Sequence, residues 1–370
     1  MSEEAGRGLG SARVAGVALL ACLAVVASPC VFSDAQPSFP RAAPPLSASA
    51  LGAVDLAGSV MHLRLDDTAG RVFVSTVRYP GGGLRRDELH LYELGGAGGP
   101  GGPAHRLTRD IDDVESVALS RDGERIAVGC AAGVCIHRWG AEAVERQLGA
   151  PGKRRELGSL AFRPDLLVAA QRQRMEIVAW ELGDGGQRQW AVASAGERFR
   201  EGLTPRLHGR PLWAPRWVGI SPDGRRIAAI RDDGTVSLWG RAGEAVKSLR
   251  GPPLADMDPA FAPDGRLVVL HALDGRISAV DAESEHVLLS VEDRARHSVR
   301  RAALLFGALG SYLATAGPDG VVLHALPSGA VATTLPAPDA VWRIAISGDG
   351  RVVAVATQHR VHFWSVAPKP

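Results

Sequence analysis

The chain has 370 residues, of which 46% are hydrophobic and 22% charged, so it is long and apolar enough to bury a large core. The formal net charge is only +2, which gives no general attraction to nucleic acid or to a membrane surface. We predict no nucleic-acid partner, because no RNA-binding motif or dense basic run accompanies the arginines. The 44 glycines and 24 prolines are typical of a folded protein rich in turns.

Residues 1–35 are predicted to be a signal peptide or a membrane-anchor segment. The stretch 14–32 carries no charge, and Arg7 and Arg13 precede it. A cleaved signal, a single-span anchor and lipidation at Cys22 all fit this pattern, because a small-residue site follows and Cys22 ends a lipobox-like sequence. In each case the arginines stay inside, so we expect the rest of the chain to be exported and periplasmic, extracellular or anchored facing outward.

A turn–strand–turn–strand pattern that ends in an aromatic or apolar residue recurs along residues 50–366. Its clearest copy is Trp217–Gly240, where Ser221-Pro222-Asp223-Gly224 and Asp232-Asp233-Gly234 separate three short apolar runs. Pro, Asp and Gly favour β-turns at these positions, and Asp-Gly between alternating strands predicts a hairpin. One such meander cannot bury both faces alone, so the copies must pack together. The third strands are predicted to end at Tyr92, Trp139, Trp180, Trp239, Val280, Ala325 and Trp364.

The pattern resembles the WD40-repeat β-propeller family, whose blades repeat every ~40–45 residues. The tryptophan is kept at Trp139, Trp180, Trp239 and Trp364, but no Asp follows it and the Gly-His pair that opens family repeats is missing. The resemblance implies an all-β fold, a seven-bladed propeller of four-stranded antiparallel blades. Six or eight blades also fit, because the first copy is weak and one interval is long.

The seventh copy stops after its third strand, at Trp364, so its fourth strand must come from elsewhere. Members of the resembled family commonly take this strand from the N-terminus. We therefore predict that residues 51–56 pair outside the seventh blade and close the ring. The predicted domains are the export segment 1–35, a Pro/Ala/Ser-rich linker 36–49, the propeller 50–366 and a tail 367–370.

Two cysteines flank a turn in the second copy. Cys130 and Cys135 are predicted to face one another across a hairpin, where they either form a disulfide in an oxidising compartment or stay as buried thiols. A zinc site is not expected, because only His137 lies near them and a structural zinc takes four ligands.

The sequence predicts no catalytic residue, cofactor site or metal site. It holds no G-x-S-x-G elbow, H-E-x-x-H or P-loop. A propeller enzyme with its site in the central channel needs a ring of carboxylates, asparagines or histidines at the inner strand starts. The residues predicted at those starts do not form one: His62, Glu115, Ser159, Trp217, Asp258, Arg301 and Trp342.

Charge is uneven over the loops predicted for one face of the ring. The arginines of these loops, here called the basic rim, are Arg85, Arg86, Arg154, Arg155, Arg294, Arg296, Arg300 and Arg301. Either they are ordinary solvated charges or they dock a protein with an acidic surface. The long insertion Ala193–Trp213 either folds over the rim or is a recognition loop. Its apolar anchors would be Phe199, Leu203, Leu207 and Trp213.

The resemblance implies a non-catalytic scaffold for protein–protein interaction, here exported or tethered to a membrane. No cofactor is expected. The alternative function is that of a propeller enzyme, lactonase-like or sugar-active, with its site in the central channel.

Overall fold

All the residues described by the computed structural model belong to one unit, Phe39–Pro370. The described ranges are 43–67, 70–80, 85–94, 100–107, 114–130, 133–149, 157–171, 176–183, 188–194, 206–207, 210–211, 215–231, 234–250, 258–295 and 302–370. The predicted export segment, residues 1–35, lies outside them. No helix within the described ranges is long and apolar enough to span a membrane.

The described strands form seven four-stranded antiparallel sheets, the blades, and one two-stranded hairpin. The first strands of the blades are β2 (Ser59–Leu65), β6 (Ser116–Leu119), β10 (Leu157–Arg163), β16 (Pro215–Ile220), β20 (Ala260–Phe261), β24 (Ala302–Gly307) and β28 (Arg343–Ile346). The second strands are β3 (Arg71–Arg78), β7 (Arg125–Cys130), β11 (Leu166–Gln171), β17 (Arg226–Arg231), β21 (Leu267–Leu273), β25 (Gly310–Gly317) and β29 (Val352–Ala356). The third strands are β4 (Arg86–Leu94), β8 (Gly133–Arg138), β12 (Glu176–Glu181), β18 (Thr235–Gly240), β22 (Arg276–Asp281), β26 (Gly320–Ala325) and β30 (Arg360–Pro368). The fourth strands are β5 (Pro100–Leu107), β9 (Val144–Leu148), β13 (Arg188–Ser194), β19 (Ala245–Arg250), β23 (Val287–Glu292), β27 (Val331–Pro336) and, for the last blade, β1 (Leu46–Asp55). The hairpin pairs β14 (Arg206–Leu207) with β15 (Arg210–Pro211).

Alternating apolar residues build the core between neighbouring blades. In β3, Val72 and Val74 pack against the seventh blade, while Phe73 packs against the second. Successive side chains of a strand point to opposite faces, so the apolar run of β3 serves two interfaces. Across the described residues, each of the seven neighbouring pairs of blades shares one hydrophobic cluster, including the pair formed by the seventh and the first. The blades therefore close into a ring, and the prediction of an all-β seven-bladed propeller is confirmed.

The N-terminal strand closes the ring as predicted. β1 pairs with β30 from Leu46 opposite Pro368 to Asp55 opposite Arg360. The pairing begins earlier than expected, because residues 46–49, assigned above to the linker, already belong to the sheet. Their Leu-Ser-Ala-Ser composition looked like a spacer, but Leu46 is buried while Ser47 and Ser49 are exposed. An outer strand buries one face against the sheet and its neighbours and leaves the other to solvent, so buried and exposed side chains alternate along it.

Candidate functional site

The turn between the first and second strands has a repeated hydrogen-bonded geometry. In the fourth blade, Gly224 N donates to Ser221 O over 2.8 Å, and the hydroxyl of Ser221 donates to Asp223. The same hydroxyl accepts the N–H five residues further on, at 2.9 Å. The bond from Ser221 is the main cause that holds the pKa of Asp223 below its usual value. The turns that begin at Ser120 and Ser347 repeat these bonds, so the turns of the second, fourth and seventh blades share one shape.

A cavity of about 1130 Å³ lies on the axis of the ring at this end, and we call it the turn-end cavity. The first strands of neighbouring blades contact one another around it, except that β21 makes the contact with β24 between the fifth and sixth blades. Every blade contributes a residue of its first turn to the lining: Asp67, Arg121, Arg163, Pro222, Pro263, Ala308 and Gly348. The cavity is therefore the mouth of the central channel.

Apolar residues line one side of the cavity. In five successive blades, the lining residue immediately precedes the first turn: Leu119, Phe162, Ile220, Phe261 and Phe306. Trp217 adds an indole from further along β16. A Cβ on Gly219 would lie only 2.2 Å from Cη2 of Trp217, so this glycine makes room for the indole. The second to sixth blades thus supply an aromatic and aliphatic wall.

The charged side chains of the cavity lie at its edge. Arg121 donates through Nε to Asp67 at 2.6 Å and through Nη1 to the carbonyl of Pro222 at 3.2 Å, which ties three blades together. Arg163 donates through Nη1 to the carbonyl of Ser221 at 3.1 Å. Two arginines and one aspartate line the cavity, so its formal charge is +2 − 1 = +1.

Side chains also brace the blades at the opposite end, where the basic rim was predicted. Arg85 donates to Asp87 and, at 2.8 Å, to the carbonyl of Val114 in the next blade. Glu115 accepts the N–H of Leu157 from the third blade. At these positions the polar groups join neighbouring blades.

The described members of the basic rim differ in their surroundings. Arg85 is bonded as above, Arg86 is exposed, and Arg294 is exposed and lies 3.5 Å from a carboxylate oxygen of Glu292. The remaining members, Arg154, Arg155, Arg296, Arg300 and Arg301, lie outside the described residues. Docking of a partner to this rim stays a prediction.

The predicted recognition loop is described only in part. Leu207 belongs to β14 of the small hairpin, and its side chain is outside the description. Phe199, Leu203 and Trp213 lie outside the described residues. The role of this loop also stays a prediction.

The two cysteines occupy diagonal positions of one hairpin. Cys130 pairs with Gly133, whereas Cys135 pairs with Val128 and is buried. Diagonal positions lie on the same face of the sheet, with Cα atoms typically ~7–8 Å apart. The side chain of Cys130 is not described, so the disulfide stays a prediction.

Histidines of β8, β21 and β26 are wholly or partly buried. Burial lowers the pKa of His137, whose side chain is fully enclosed, and also the pKa of His271 and of His324. His324 lies 3.1 Å from the hydroxyl of Thr315 through Nε2. Within the described residues, no group of three or more His, Cys, Asp or Glu side chains could hold a metal ion.

The chain was compared with known proteins. No protein-family model matches it, and no curated protein matches its sequence. Among solved structures, it is similar to the β-propeller domain of Cps50 (Swd1) from Myceliophteria thermophila. The TM-score is 0.64 and the identity 14%, over 87% of this chain and 100% of that chain. The fold is that of a WD40-like propeller. At this identity the likeness establishes the fold alone.

Sequence reasoning missed the turn-end cavity because it assigned function to the opposite face. Arg121 and Arg163 belong to no motif that indicates a site in the sequence. A usable signal was present, since the apolar residue just before each first turn marks the end of an inner strand. Phe162, Phe261 and Phe306 all occupy that position.

Proposed function

We propose that the protein is a non-catalytic interaction scaffold that binds protein partners and is exported or tethered to a membrane by residues 14–32. The observation that carries the proposal is the closed ring braced between blades by Arg85, Glu115 and Arg121. A rigid ring of this kind holds many loops in fixed positions without a cofactor, and rigid scaffolds commonly present binding loops. The likeness to another propeller domain of this fold agrees with such a role.

The partner is expected to carry an acidic surface that meets the basic rim. Opposite charges at a rim speed association and exclude wrong partners more than they add affinity. Among the described rim residues, Arg86 and Arg294 are exposed and could meet such a surface.

Affinity purification of the full chain from its own host tests this function. The wild type is compared with a rim variant, Arg294, Arg296 and Arg300→Glu. A control variant carries the same charge change on exposed residues at the other end of the blades, Arg138, Arg225 and Arg351→Glu. A partner that the wild type and the control retain, and the rim variant loses, would support both scaffold and rim. Equal retention of the partner by the wild type and both variants would contradict a role of the basic rim in binding. Recovery of no partner under any condition would contradict the scaffold function.

The fate of the N-terminal segment is tested by intact mass of the purified protein. A chain beginning near residue 36 would indicate a cleaved signal, and a chain with an acyl group on Cys22 a lipoprotein. A complete chain recovered from the membrane fraction would indicate an anchor. A complete chain recovered only from the cytosol would contradict export.

A further inference from the structure

We propose that the turn-end cavity binds a short peptide segment in which an acidic residue neighbours an aromatic or large aliphatic side chain. The inference rests on the proposed interaction function and names a second place, away from the basic rim, where a partner is held.

The size of the cavity favours a peptide segment over an ion or a small metabolite. Its volume is about 1130 Å³, whereas pockets for drug-sized molecules are typically about 300–1,000 Å³. The lining comes from all seven blades, which share hydrophobic clusters around the ring. A preformed site of this kind costs a ligand little reorganisation of the protein.

The wall of the cavity selects a large apolar side chain. Trp217, Phe261 and Phe306 present rings from three consecutive blades. Aromatic rings bind other rings edge-to-face or offset, and they bury large areas per residue. Pro259 and Pro263 line the same side and bring no backbone N–H, so this side offers little to a wholly polar ligand.

The charge of the cavity selects an acidic neighbour. Arg121 is already paired with Asp67, so its charge is largely compensated. Arg163 has no acidic partner in the described part of the chain, and it donates through Nη1 to the carbonyl of Ser221. A guanidinium has five N–H donors in a fork that fits a carboxylate with two bonds. Arg163 is therefore the residue positioned to bind a carboxylate at the cavity edge.

The test uses the full-length protein and isothermal titration with acetyl-Glu-Phe-Asp-Leu-amide. Two control peptides separate the two requirements: acetyl-Gln-Phe-Asn-Leu-amide removes the charge, and acetyl-Glu-Ala-Asp-Ala-amide removes the apolar side chains. We expect the first peptide to bind and each control to bind at least about tenfold more weakly. Raising the salt concentration should weaken the binding of the first peptide, because the edge of the cavity is open to solvent.

Two variants locate the site. Arg163→Gln should lower the affinity for the acidic peptide about tenfold or more but leave the affinity for the Gln/Asn peptide unchanged. Gly219→Ala should displace Trp217 and weaken the binding of the two peptides that carry Phe and Leu, while it leaves the binding of the Glu-Ala-Asp-Ala peptide unchanged. The matched control is Arg225→Gln, an exposed arginine in the turn of the fourth blade that does not line the cavity. It should change each affinity less than about twofold. Circular dichroism confirms that each variant is folded, and Arg163→Lys, which keeps the charge, should restore part of the affinity.

Several results would overturn the inference. One is no binding of the acidic peptide up to about 1 mM, which would leave less than ~4 kcal/mol of affinity. A second is binding of the Gln/Asn peptide as tight as that of the acidic peptide. A third is an affinity of Arg163→Gln for the acidic peptide equal to that of the wild type. Binding of 3-phenylpropionate as tight as that of the peptide would make this a pocket for small carboxylic acids instead. If affinity purification recovers a partner while these titrations detect no binding, the scaffold function is supported and the peptide site in the cavity is contradicted.

Discussion

Replacing Leu46 by Ala tests whether the closing strand holds the ring together. Leu46 is 1% exposed and packs in one cluster with Leu335, Val341 and Val366. Burying a smaller side chain there loses transfer free energy and leaves a cavity, which costs ~2–5 kcal/mol for Leu→Ala. The strand lies at the outer edge of its sheet and can relax, so we expect a loss near the lower half of that range, about 3 kcal/mol.

That loss converts into a measurable shift of the melting temperature. Residues 43–370 make 370 − 43 + 1 = 328 residues. At about 2.1 cal/mol/K per residue, their unfolding entropy is about 0.7 kcal/mol/K, so 3 kcal/mol lowers Tm by about 4 °C.

Urea denaturation followed by tryptophan fluorescence provides the assay, because the midpoint reports stability independently of the melting curve. Ser49→Ala is the matched control, since Ser49 is exposed on the same strand. The control should change the free energy of unfolding by less than ~0.5 kcal/mol. A midpoint for Leu46→Ala equal to that of the wild type would show that the packing of β1 does not stabilise the ring.

Three further predictions concern single side chains. Ser347→Ala removes a fully buried hydroxyl that accepts a backbone N–H at 3.0 Å, and should cost ~1–3 kcal/mol in urea denaturation. The exposed Ser49→Ala should cost nothing measurable, and an equal effect of the two would refute a role for the turn bonds. Arg85→Ala breaks the bond to the carbonyl of Val114 and should lower stability by about 1–2 kcal/mol; a loss below ~0.3 kcal/mol would show that this brace is unimportant. Burial holds the pKa of His137 below 6.5, so its stabilising contribution is complete above pH 6.5 and is lost as the pH falls toward the lowered pKa. His137→Gln should therefore reduce the acid-side loss of stability, by at most ~1.4 kcal/mol per pH unit, and an identical pH profile would contradict this assignment.

Local features of the sequence predicted the blades well. The Ser-Pro-Asp-Gly turn at 221–224 and the apolar alternation around it are decided within a few residues, so the strands on either side could be read directly. The start of β1 was missed because Leu46 is one apolar residue among Ser and Ala, and its burial depends on a strand more than 300 positions away, as the bond between Ser47 and Ala367 shows. Strand pairing over such a separation leaves little local signal.

The candidate site was harder to predict than the fold. Each residue of the turn-end cavity is ordinary in its own blade, and only the closed ring brings Arg163, Trp217 and Phe306 to one axis. The charge of loops could be counted from the sequence, which drew attention to the basic rim. The sequence does not show which of these charges are already hydrogen-bonded. Arg85 is an example, because its partner Val114 belongs to the next blade.

The closing strand also makes the two ends of the described chain neighbours. Lys369 N donates to Pro45 O over 2.9 Å, beside the pairing of Leu46 with Pro368. The ring thus has one seam held by hydrogen bonds, which lies between β1 and β30 inside the seventh blade, whereas neighbouring blades are joined by covalent loops. Joining the two ends with a short linker and opening the chain between two other blades would move that seam around the circle. Neighbouring termini are the arrangement in which such circular permutation is tolerated. We therefore expect the packing between blades not to depend on which blade comes first along the chain.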